Sequence, residues 1–203
     1  MSLATEIQRF AADGSTEFNE AGFKIVPGLF SADACDALAS ELTSQYERQR
    51  ALSKSRIGGI RNVLRENPQV AAVARSAPVL ALMEDILGRE AFPVRAIFFD
   101  KTPGANWTVP WHQDLTIAVK GRVDTVGFGP WSVKDEVVHV QPPQEILERM
   151  ATLRLHLDDC GQDNGPLRVI PGSHQRGELS AVEIKNLTQT DRIVTCEVPK
   201  GGA

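Results

Sequence analysis

No stretch of this chain approaches the roughly 20 consecutive apolar residues that a membrane-crossing helix needs, so no spanning segment is expected. Excess basic charge is missing too: 22 Lys and Arg stand against 26 Asp and Glu, a formal net charge of −4. Without a basic stripe, nucleic acid is not an expected partner. The N-terminus lacks the basic-then-apolar pattern of an export signal. Cysteine is scarce: Cys35, Cys160 and Cys196 are odd in number, widely spaced, and form no CxxC pair. That excludes a disulfide framework and a zinc knuckle, and reduced thiols in a cytoplasmic protein are the expectation. No HxH or HExxH pair is present, which argues against a zinc hydrolase. Repeats, low-complexity tracts and linkers are also absent, so residues 1–203 are read as one domain.

What is present is an ordinary globular composition, 42% apolar and 24% charged, on a chain long enough for a proper core. Residues 22–30 (GFKIVPGLF) predict a short strand entering a turn. Ser31 then reads as a helix N-cap, with Asp33 in the first turn. Ala34, Leu38, Leu42 and Tyr46 recur at helical spacing behind it. Asn67-Pro68 opens a second helix with proline at its first position. Ser76-Ala77-Pro78 restarts it, with Val79, Leu82, Met83 and Ile86 as the buried face and Gly88 as the terminating glycine.

Beyond Phe92 the period changes. The segments PVRAIFFDK, VPWHQDLTIAV, ATLRLHLDD, PLRVI and RIVTCEV predict strands, and PPQEILERM a short helix. Residues 120–141, rich in Gly, Pro and Trp, read as a long excursion of the kind that covers sites. In it, Trp131 is placed to cover substrate or to anchor the loop. Helices first and strands later predict a mostly β or α+β fold with helices packed outside. The turn at Lys200-Gly201-Gly202-Ala203 calls for a final hairpin strand.

The chemistry centres on Trp111-His112-Gln113-Asp114. On a strand, residues i and i+2 share a face, so His112 and Asp114 aim an imidazole and a carboxylate at one point. Two histidines and one carboxylate on one face of iron(II) leave three positions open. HxD supplies two of those three ligands; alone it is equally the pattern of a surface ion pair. The third ligand is left open among His139, read as a loop residue, His156, on a strand whose face is undecided, and His174, after a Pro-Gly turn. Arg154 shares a face with His156. It either salt-bridges or points at a ligand in the barrel. The Asp158-Asp159 and Asp163-Asn164-Gly165 cluster lacks the ligand spacing of a calcium loop and reads as a turn.

The blocks FFDKTPGANWTVPWHQDLTIAV and LRLHLDDCGQDNGPLRVIPGSH resemble the phytanoyl-CoA dioxygenase family, and the likeness runs from GFKIVPGLF onward. The resemblance implies a double-stranded β-helix, a cupin-like jelly roll with N-terminal helices packed on one sheet. It implies Fe(II) and 2-oxoglutarate as cofactors, O2 and a small-molecule substrate as partners, and hydroxylation of an unactivated C–H bond with succinate and CO2 as co-products. His112 and Asp114 match two iron ligands. The family's third histidine follows a Gly-rich turn, and an arginine beyond it pairs with 2-oxoglutarate. Here no histidine follows His174 and no arginine follows Arg192. The resemblance therefore implies missing final strands and a missing third ligand, with His174 matching a turn histidine.

Lys101 sits where the family places a polar or cationic residue facing the cosubstrate, and is otherwise a solvated strand end. Asn106 either hydrogen-bonds the cosubstrate or is a turn residue. Arg61 lies in a segment resembling one near the mouth of the family's site, and is otherwise a surface arginine. Two rival readings stand beside the oxygenase. One is a non-catalytic remnant or binding module of the same fold. The other is a cupin-like enzyme using another metal with His156 or His174.

Overall fold

The computed structural model describes residues 14–52, 59–100 and 109–203. Its first half is helical. Helix α1 (Gly14–Ala21) leads by an extended segment to α2 (Ala32–Leu52). Ser31 Oγ accepts from the Ala34 N–H at 3.3 Å, occupying one of the donors that a helix start leaves free. The buried stripe of α2 is Cys35, Leu38, Leu42 and Tyr46. Ala34, expected in that stripe, is exposed, and Cys35 takes its place.

Strand β1 (Gly59–Ile60) and the short helix α3 (Val63–Glu66) precede α4 (Pro68–Ala74) and α5 (Ala77–Leu87). Asn67 caps α4. Its side-chain oxygen accepts from Gln69 N and Val70 N, and its amide donates to Gln45 Oε1 at 2.9 Å, tying α4 to α2. Gly88 ends α5 in the left-handed conformation, which only a residue without Cβ adopts at no cost.

The described residues form three small antiparallel sheets, mostly in the second half. Strand β2 (Phe98–Phe99) pairs with β1. Strands β3 (Ile117–Val119), β5 (Val137–Val140) and β4 (Trp131–Lys134) form the second sheet, with β5 central. Strands β6 (Leu167–Val169) and β7 (Val194–Cys196) form the third, with Leu167 opposite Cys196. Helix α6 (Gln144–Leu147) and helix α7 (Ala181–Thr190) complete the elements. An α+β architecture is what the change of period predicted.

Two expectations need correction, and one helix was not foreseen. The predicted strands are longer than the observed ones: among the described residues, 109–116 and 151–156 carry no ladder, and the PVRAIFFDK segment pairs only at Phe98–Phe99. A ladder extends only as far as a partner runs beside it, and β5, the partner of β3, is four residues long. Residues 120–141 are not simply an excursion, because they contain the β4–β5 hairpin. Its two-residue turn, Asp135-Glu136, has φ of 48° and 63°, the positive pair that matches the twist of the flanking strands. And α7 went unpredicted, although Ser180-Ala181-Val182-Glu183 is a complete capping box, with both reciprocal hydrogen bonds formed.

The main core lies under α2. Leu38, Leu42 and Tyr46 pack with Ile60 and Val63, and against them lie Val70, Val73, Ala96, Phe98, Leu155 and Leu157. The glycine turn after β7 is threaded between two extended segments. Val26 and Ala203 exchange both backbone hydrogen bonds at 2.8 Å. On the other side, His156 N–H donates to Gly202 O and Gly201 N–H to His156 O. Gly201 has φ of 80°, and a Cβ there would stand 2.1 Å from the Phe30 carbonyl oxygen. Lys200 pairs with Asp36 at the start of α2, and its N–H donates to Asp159 Oδ1, so the Asp158-Asp159 cluster is turn chemistry.

The three cysteines are buried and unpaired. Burial pushes the Cys35 and Cys196 thiols up, which suits packing rather than nucleophilic roles. No described helix is long and apolar enough to cross a membrane.

Candidate functional site

His112 and Asp114 lie on the extended segment that leads into β3. Alternation along that segment puts both on one side, with His112 Nε2 3.5 Å from Asp114 Oδ1. His112 Nδ1 is 2.8 Å from the Pro110 carbonyl, to which it donates as N–H. In the neutral ring, Nε2 then presents a lone pair toward a carboxylate oxygen. Two acceptors facing each other across a gap make an arrangement suited to a shared cation. The separation exceeds the roughly 2.7–2.9 Å of a charge-assisted hydrogen bond. Two donors each about 2.1 Å from one ion stand about 3.0 Å apart at a right angle and about 3.4 Å apart at a tetrahedral angle. The pair therefore fits two positions of a metal site, and its side chains, 53% and 84% exposed, are open to take one.

What holds the segment in place lies behind the pair. Gln113 points the other way, its Nε2 donating to Gly177 O and its Oε1 accepting from Leu179 N–H, both at 2.8 Å. The Arg168 guanidinium of β6 stands over the Trp111 ring, 5.4 Å from its centroid. Side chains thus do for residues 111–114 what a β-ladder does elsewhere.

A broad cleft of about 850 Å3 opens beside the segment. Asp114, Arg154, His156 and Ala203 are on its wall, which brings Asp114 and Arg154 into one cavity. Arg154 is exposed while His156 is buried. Burial, reinforced by the Arg154 charge, pushes the His156 pKa down and keeps the ring neutral.

The other histidines are not gathered to the pair. His139, expected on a loop, is on β5 and fully buried. Its Nδ1 donates to Val137 O, while Nε2 has no partner. Burial pushes its pKa down despite that hydrogen bond. His174 sits in a single 3-10 turn, with Nε2 against the Asn19 carbonyl and its ring packed on Gly22. Among the described residues no group of three His, Cys, Asp or Glu stands where it could hold one metal ion.

Lys101 and Asn106 lie outside the described residues. Arg61 pairs with Asp135 of the hairpin turn at 2.7 Å. Trp131 opens β4 opposite Val140, with the Arg122 guanidinium 5.5 Å from its ring centroid. Sequence reasoning passed over Gln113 and Arg95. The first carried only the alternation that sets it opposite its neighbours. The second sits before β2 with Nε and Nη2 buried and unpartnered. Burial and the Arg61 charge push the Arg95 pKa down, against the pull of Asp135 and Asp114.

The class of protein follows from comparison with known sequences, and the matches are to proteins named as dioxygenases. Residues 18–203 match the phytanoyl-CoA dioxygenase family, and the chain belongs to it. The chain is also 24% identical over 174 residues to the ectoine dioxygenase of Stutzerimonas stutzeri, an alignment covering 81% of this chain and 51% of that protein. The chain thus spans about half the length of the curated relative it matches.

Proposed function

We propose that this chain carries the iron(II)- and 2-oxoglutarate-binding part of an oxygenase. The reaction is hydroxylation of an unactivated C–H bond in a small organic substrate, consuming O2 and releasing succinate and carbon dioxide. The observation that carries the reading is the His112–Asp114 pair, two metal-type donors 3.5 Å apart in a chain of this family. His112 Nε2 and Asp114 Oδ1 would hold the metal, and when bound the metal supplies the site at which oxygen is activated. Pro110 fixes the imidazole in the tautomer that leaves Nε2 free. Arg154, in the same cleft as Asp114, offers a cation to a carboxylate of the cosubstrate, with Lys101 and Asn106 as further contacts. The fold that goes with this reading is a single jelly-roll domain over residues 1–203, of which the three small sheets are parts.

Ectoine is the natural first substrate to try, because a relative is named for it, but 24% identity does not carry substrate choice across. The test is an iron(II) titration with and without 2-oxoglutarate, followed by a succinate assay. Iron binding that tightens with 2-oxoglutarate and weakens in His112→Ala supports the proposal. Binding indifferent to 2-oxoglutarate sinks it. The second reading, a binding module of this fold without a complete metal site, is favoured by the lack of a three-donor group among the described residues. It predicts no iron binding under either condition.

A further inference from the structure

We infer that Gln113 is a positioning residue that sets the geometry of the His112–Asp114 donor pair by clamping it from behind to the loop at residues 177–179. The inference rests on the reading of that pair as metal donors. Three observations carry it.

The first is geometric. The tripeptide at residues 112–114 is extended, and among the described residues no ladder hydrogen bond fixes its backbone. Its central side chain makes two 2.8 Å hydrogen bonds to main-chain atoms more than sixty residues away. In extended backbone, fixing the middle side chain on one side fixes the direction of both neighbours on the other.

The second is chemical. One partner is a carbonyl and the other an N–H, so only a group that donates at one end and accepts at the other satisfies both. The primary amide is that group, and it has one orientation here. A carboxylate of the same size keeps the bond from Leu179 N–H but turns a second acceptor toward Gly177 O. A methionine of similar length keeps the volume and makes neither bond.

The third is that the anchor is itself held. Gly177 sits at φ 68°, ψ −156°, a conformation open to glycine. Glu178 accepts from Gln141 Nε2 at 2.9 Å, which ties the loop to the end of β5. On the flanks, Arg176 pairs with Asp191 at 2.6 Å, and the Ser180 capping box opens α7. The loop is fixed at both ends, so Gln113 transfers that order to the donor pair.

The test uses the 203-residue chain with Co(II) as the probe, read by the visible d–d spectrum and by titration calorimetry. Native protein, His112→Ala, Gln113→Glu and Gln113→Met are compared, each below its own melting temperature. The expected result is binding in the native chain, none in His112→Ala, and binding weakened about tenfold or more in both Gln113 variants, with shifted d–d bands. Far-UV circular dichroism stays native in Gln113→Glu, which keeps the volume and one of the two bonds. A purely packing role for Gln113 would leave Co(II) affinity and spectrum unchanged in the folded variants, and that result overturns the inference while the donor-pair reading stands. If the native chain and His112→Ala are alike in failing to bind Co(II), the donor-pair reading falls and takes the inference with it.

Discussion

The helical half and the stretch around His112 are ordered by different means. From Ser31 to Gly88, start and stop signals are local: Ser31 and Asn67 cap, Pro68 fills the first turn, Gly88 ends α5. The stretch at residues 109–116 has no such signals and, among the described residues, no ladder. It is held by partners far along the chain, Arg168 on Trp111 and residues 177–179 on Gln113. The lesson is that the segment carrying His112 and Asp114 is ordered mainly by contacts made at a distance. An exposed pair of side chains contributes little apolar burial, so the segment relies on what lies behind it.

Substitutions sharpen this contrast. The largest expected loss of stability is in Gly201→Ala, at the turn that bridges the two halves. Positive φ and a backbone oxygen 2.1 Å from the new Cβ should cost about 3 kcal/mol, read as a lower midpoint in urea unfolding. His112→Ala should do the opposite: metal affinity falls by more than the roughly 10–100-fold of an outer-shell change, while the melting temperature hardly moves, since the side chain is half exposed. A melting temperature several degrees lower would break the contrast.

Asn67→Ala should destabilise by about 2 kcal/mol, because it removes an N-cap and strands Gln45 beside a buried site, without touching Co(II) affinity. Acid provides a milder test. His139 and His156 both have folded pKa values below the ordinary value, so the unfolded chain takes up protons that the folded one refuses as pH falls through about 6.5. Stability is therefore full above that pH and declines below it until the folded pKa is reached. Urea melts at pH 8 and pH 5.5 should show the decline, and His139→Gln should make it shallower. The smallest effect is a gain. Glu136→Gly relieves a positive φ in the β4–β5 turn and should stabilise by about 1 kcal/mol.

Much of the helical half was legible because capping and periodicity act within four residues. The β half was legible as strand-forming sequence but not as strand. Whether residues 151–156 join a ladder depends on what lies alongside, and only His156 found partners, in Gly201 and Gly202. The β4–β5 hairpin was hidden because its turn is Asp-Glu, without the glycine that marks positive φ, and is supported instead by Arg61 on Asp135 and by Asn62 Nδ2 on the Asp135 carbonyl. The capping box of α7 was there to be read. At the site, His112 and Asp114 could be picked out by spacing, whereas Gln113 could not, because its partners are 64 and 66 residues away.

By itself, then, the sequence determined the starts of α2 and α4, the end of α5 and the family, and it marked His112 and Asp114 as candidates, since each is written in spacing and residue type over a few positions. Only the tertiary structure decided that His139 is a core residue and His174 a turn anchor. It also decided that the glycine turn threads between Val26 and His156, and that the Gln113 amide bonds to residues 177 and 179. The physical reason is that burial and hydrogen-bond pairing between distant segments are properties of the packed chain, and a run of neighbouring residues does not contain them.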